Sequence, residues 1–99
     1  MASFFATVAF DLKDASSADY ECAEKNLRAV GLYKTLKADN GNSVELPYNT
    51  FAGTFNGETA GAVRDYVREQ SKAALNKCRL TGRLFVAVGG DWSWGSTTF

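Results

Sequence analysis

The stretch Phe4-Phe5-Ala6-Thr7-Val8-Ala9-Phe10-Asp11-Leu12 decides how the rest of the chain is read. It is rich in aromatic and β-branched residues, the composition of a strand. Alternation puts Phe4, Ala6, Val8 and Phe10 on one face and Phe5, Thr7, Ala9 and Asp11 on the other. The first set is the more apolar and is expected to face the core. Asp11 then ends the strand on the opposite face. A second run of the same character, Arg83 to Val88 (RLFVAV), lies far along the chain and is broken by Gly89-Gly90. As the two strongest strands, 4–12 and 83–88 are expected to form the central pair of a sheet.

Between them the signals are helical at two places. Ser16 with Asp19 three residues on has the form of a capping box, with the shorter acid replacing Glu. Tyr20, Ala23, Leu27 and Val30 then follow at near-helical spacing, and Gly31 stops the helix. Asn56-Gly57-Glu58-Thr59 opens a longer helix whose stripe is Val63, Tyr66, Val67, Gln70, Ala74 and Cys78, running to about Lys77. Residues 32–55 read as a β-hairpin. Asp39-Asn40-Gly41-Asn42 supplies the turn, because Asn-Gly readily takes positive φ, and Pro47 interrupts the return strand, which marks an edge or bend. The order strand, helix, strand, strand, helix, strand is the β-α-β-β-α-β ferredoxin-like pattern of an α+β sandwich. Right-handed crossovers place both helices on one face of a four-stranded antiparallel sheet. A single domain, 1–99, is expected, with 90–99 as a C-terminal tail or extra edge strand. The uncovered sheet face, with Phe5 and Ala9 on it, invites a second copy packed sheet to sheet, a ligand, or plain solvent.

Composition narrows the chemistry. The chain has 99 residues, 11 basic and 11 acidic side chains, and no histidine. Without imidazole there is no Ser-His-Asp triad, Cys-His pair or His-ligated zinc. A net charge of zero argues against holding duplex nucleic acid by bulk electrostatics. Phosphate-loop, dinucleotide-loop, zincin and EF-hand spacings are absent. The opening residues have no basic n-region and meet Asp11 too soon for a signal peptide. No stretch approaches the ~18 apolar residues of a membrane helix, so a soluble cytoplasmic protein with no membrane partner is expected. Cys22 and Cys78 both fall on helices. They read as buried or half-buried small hydrophobes, or as a disulfide if those helix faces are opposed.

Asp11 is the most informative acid. Alone it does little, but in a twofold dimer two Asp11 carboxylates could converge on one Mg²⁺, with Asp14 assisting from the loop. Such an ion activates water and stabilises charge on phosphate. Otherwise Asp11 caps the strand end or pairs with a lysine. Ser16 and Ser17, before a helix N-terminus, suit a phosphate or simply cap the helix. Arg64, Arg68 and Lys72 lie at i, i+4, i+8 and form a basic ridge diluted by Asp65 and Glu69. That ridge is either a solvated face or a phosphate contact. Trp92 and Trp94 share one face of an extended tail. They suit either stacking on unpaired bases or, preferred here, an interface with another chain, in which Phe5 would take part.

The Val8-Ala9-Phe10-Asp11 strand end with Ser16-Ser17, and the span from Ala38-Asp39 through Asn49-Thr50-Phe51, resembles the small CRISPR-associated ferredoxin-fold nucleases. It is also similar to the GhoS-type antitoxin endoribonucleases of the same fold. Ala9-Phe10-Asp11-Leu12 resembles the opening of the virulence-associated protein D family. The resemblance implies a homodimer, RNA binding or metal-dependent RNA cleavage, and Asp11 as the acid. The alternative is a non-catalytic protein-interaction module, such as a phage- or mobile-element-encoded inhibitor. It would bind a protein partner through its sheet, an edge strand or the Trp tail.

Overall fold

A computed structural model describes residues 2–99. Strand β1 spans Ala2–Leu12, helix α1 Ser17–Val30, β2 Thr35–Lys37, β3 Ser43–Glu45, β4 Thr50–Gly57, helix α2 Ala60–Lys77, and β5 Gly82–Gly89. The architecture is α+β. One antiparallel sheet has the order β4-β1-β5, and β2 with β3 forms a separate two-stranded ribbon.

The alternation in β1 sorts its residues as expected. Phe4, Ala6, Val8 and Phe10 are buried, and they join Ala23 and Leu27 of α1 and Val63, Val67, Ala74 and Leu75 of α2 in one core. Both helices therefore cover the same sheet face. Helix α1 begins with the full capping box: Ser16 Oγ accepts from the Asp19 N–H, and the Asp19 carboxylate accepts from the Ser16 N–H. It ends at Gly31, whose φ of 107° lets the chain reverse. Thr59 caps α2 by accepting from the Ala62 N–H. The buried stripe of α2 is Val63, Val67, Ser71, Ala74 and Leu75. Tyr66 and Gln70 face solvent instead, because the helix rotates its small Ser71 and Ala74 toward the sheet.

Three expectations are corrected. The central position belongs to β1 alone, flanked by β4 and β5, and β5 is an edge strand. The hairpin is shorter than residues 32–55, since only β2 and β3 pair with each other. After Pro47 and the left-handed Asn49 (φ 59°) the chain turns away, and β4 pairs with β1 in the register Val8–Phe51. Burial of Phe51 and Ala52 drives that choice. A last link joins ribbon and sheet: Tyr33 and Ala52 exchange backbone hydrogen bonds of 2.8 and 3.0 Å at the outer edge of β4. Finally, Cys22 and Cys78 are half-buried, as expected of small hydrophobes, but they are not free thiols. They form a disulfide between α1 and α2, with Cα atoms 6.0 Å apart. No helix among the described residues is long and apolar enough to cross a membrane.

Candidate functional site

Strands β1 and β5 run side by side with Asp11 opposite Arg83 and Leu12 opposite Gly82. Gly82 is required there, because a Cβ would land on the carbonyl of Asp11. Just before it the chain leaves α2 through Arg79, left-handed at φ 59°. The Leu80 N–H returns to the Leu75 carbonyl at 3.3 Å, folding Leu80 beneath the helix end. The result is a cleft of about 420 Å³ between the C-terminal half of α2 and the β1–β5 end. Leu12, Leu75, Leu80 and Leu84 supply its apolar lining, and Asp11, Arg68, Lys72, Asn76 and Arg83 its polar one.

The cleft is therefore mainly cationic at its polar positions. Arg83 approaches the Asp11 carboxylate at 4.0 Å, but both side chains are almost wholly exposed, 92% and 84%. Such a pair is worth little in water and leaves Arg83 free to bind. Arg68 contacts Asp65 at 3.2 Å and Glu69 at 4.0 Å, both on its own helix. Lys72 makes no ion pair among the described residues. The arrangement suits an anionic group with an apolar or planar body beside it.

Of the residues singled out in the sequence, Asp11, Arg68 and Lys72 meet at this cleft. Arg64 does not line it and is held by Asp65 at 2.9 and 3.0 Å. Ser16 is engaged in its cap, and the Asp19 carboxylate already occupies the positive end of α1. Ser17 is exposed at the first turn of that helix. Asp14 sits exposed in the loop after β1 in a left-handed conformation, φ 51°. Asp11 faces arginine rather than a second acid, and no cluster of three or more His, Cys, Asp or Glu forms among the described residues. The donor set of one chain does not fit Mg²⁺, which needs several oxygen ligands.

The sheet face away from the helices carries the aromatic component. Phe85, which follows Arg83 by two residues on that face, is 65% exposed. Trp92 stacks on Phe5 with ring centres 5.7 Å apart and planes at 20°, so the tail folds back over its own sheet. Trp94, together with Trp92, lines a hollow against the β2–β3 turn with Lys37, Asn40 and Val44. Away from both, Tyr48 packs beside Tyr20 with ring centres 5.3 Å apart. Its phenol is held above the ordinary value by partial desolvation, then by the Tyr20 hydroxyl.

Arg83, Asn76 and Phe85 are the residues that sequence reading passed over. The signal that could have found two of them is the alternation Leu84, Val86, Val88, which sets Arg83 and Phe85 together on the other face. Nothing in the sequence could set Arg83 opposite Asp11, because that depends on strand register. No family model matches this chain, and no curated protein matches it.

Proposed function

We propose that this chain is a ferredoxin-like domain that binds single-stranded RNA across its open sheet face, with phosphates held at the cleft. The fold part of this reading is supported by the order of elements and by the Tyr33–Ala52 bridge. On this reading the segment from Tyr33 through β2 counts as the fourth strand beyond β4, and β3 as a short return inserted before β4.

The observation that carries the functional part is the convergence of Arg68, Lys72 and Arg83 on one cleft, with Arg83 two residues before the exposed Phe85 on the open sheet face. Two residues along a strand span about 7 Å, which sets a cation for a phosphate beside a ring for a base. Aromatic platforms of this kind bind unpaired bases with little sequence preference. A local cationic cleft reconciles phosphate binding with zero net charge. Binding of a short mixed-sequence single-stranded RNA, followed by Trp92 fluorescence or by anisotropy, tests this. Phe85→Ala is expected to weaken it about 5- to 150-fold, the equivalent of ~1–3 kcal/mol for one stacked base. Unchanged affinity in Phe85→Ala and in Arg83→Ala would remove the reading.

Metal-dependent cleavage is a separate matter, because it needs a hard cation that one chain's donors do not fit. RNA cut only with added magnesium, and not by Asp11→Ala, would restore the endoribonuclease expectation through a shared dimer site.

A further inference from the structure

We propose that β5 pairs edge to edge, antiparallel, with β5 of a second copy about a twofold axis through Val86. The inference does not depend on RNA binding.

The two outer edges of the sheet are treated differently. The outer edge of β4 is engaged at Ala52, which exchanges two backbone hydrogen bonds with Tyr33. The outer edge of β5 has no partner among the described residues, and the tail does not cover it. After Gly90 the tail crosses the open face, where Trp92 lies on Phe5 of the central strand. Strand β5, Gly82-Arg83-Leu84-Phe85-Val86-Ala87-Val88-Gly89, holds no proline, lysine or acid, and its single charge is near one end. Leu84, Val86 and Val88 pack against the core yet stay only half-buried, as edge residues with one flank open. Long apolar edges without guards invite strand pairing, and a closed twofold consumes the edge without growing a fibre.

Backbone geometry selects the register. The Lys13 N–H donates to the Thr81 carbonyl at 2.9 Å, which makes that pair a hydrogen-bonded one in the β1–β5 ladder. Alternation then turns the N–H and C=O groups of Arg83, Phe85, Ala87 and Gly89 toward β1, and those of Leu84, Val86 and Val88 outward. A twofold through Val86 sets Val86 against Val86 of the second copy and Leu84 against Val88 of the second copy. Every such pair has both backbone groups pointing at its partner. On the open face Phe85 meets Ala87 of the second copy, and Arg83 meets Gly89 of the second copy, so no like charges are opposed. Both helix layers stay on one side, and the two aromatic faces become one continuous surface. The two Asp11 carboxylates, each opposite Arg83, stand about 20 Å or more apart. This pairing therefore cannot build the shared metal site.

Two measurements on the full chain without RNA test the proposal. Sedimentation or light scattering is expected to give twice the chain mass of 10.7 kDa. Amide hydrogen exchange is expected to show Leu84, Val86 and Val88 protected comparably to Phe85 and Ala87. Val86→Pro removes an outward N–H that β1 does not use and is expected to give a monomer. Ala87→Glu, at an exposed position that leaves the core untouched, is expected to weaken the dimer if the proline variant fails to fold. A monomeric wild type with fast exchange at Leu84, Val86 and Val88 would overturn the proposal. So would a dimer in which those amides exchange freely, which would point to face-to-face packing. Protection that arises only on adding an extended peptide from another protein would assign the edge to a different occupant.

Discussion

Ser71 is fully buried in α2, and its hydroxyl has no hydrogen-bond partner. A desolvated, unpaired hydroxyl works against folding by about 1–3 kcal/mol. Ser71→Ala removes it with little change in volume and is expected to raise stability by about 1 kcal/mol, read as a higher urea midpoint at unchanged slope. A lower midpoint would show that the hydroxyl is satisfied in solution. Gly53 illustrates the opposite case. A Cβ there would land on the carbonyl oxygen of Gly31, so β4 can pass the end of α1 only as glycine. Gly53→Ala is expected to destabilise by about 1–3 kcal/mol through forced backbone movement. Thermal melting checks it, and a neutral result would mean that β4 and the end of α1 can move apart at little cost.

At the scale of elements, the two helices are held together by more than the core beneath them. The Cys22–Cys78 bond closes a loop across 56 positions of sequence. Beside it the Asn26 side-chain amide reaches the Ala74 carbonyl at 3.0 Å and Cys78 Sγ at 3.3 Å, tying α1 to α2 a second time. Loop-closure entropy for a loop of this length corresponds to about 4 kcal/mol of stability. The double variant Cys22→Ser with Cys78→Ser, or the reduced protein, is expected to lose about that much in denaturant titration. No difference between oxidised and reduced protein would mean that the helices stay apposed without the bond. Disulfides persist in oxidising compartments, so the bond pulls against the expectation of a cytoplasmic home. Thiol trapping of freshly lysed cells distinguishes the two.

For the whole molecule, equal numbers of acids and bases leave no long-range field to gather RNA. Any affinity must come from the local cleft and from stacking. Each phosphate contact to a single strand contributes about 0.7 to the salt slope. With Arg68, Lys72 and Arg83 engaged, the slope of log affinity against log salt is expected near −2, and Lys72→Ala should flatten it by roughly one contact. A much steeper slope would place the binding surface elsewhere, for instance along the Arg64 flank of α2.

Much of this protein follows from local chemistry alone. The alternation in residues 4–12, the Ser16–Asp19 capping box, the Gly31 stop and the apolar positions of α2 are all short-range signals. The strands and helices they predict are present. What the sequence could not determine is which elements meet. Burial of Phe51 and Ala52 sends β4 to β1, and β5, which pairs only with the other side of β1, stands at an edge. The disulfide depends on how α1 and α2 are rotated about their axes. The candidate site depends on register: Asp11 and Arg83 are 72 positions apart in sequence and opposite one another in the sheet. Local pattern is set by the backbone and by the residue in hand, whereas long-range pairing is decided by which apolar surfaces can be buried together. Tertiary structure alone could therefore turn a dispersed set of charges into one cleft.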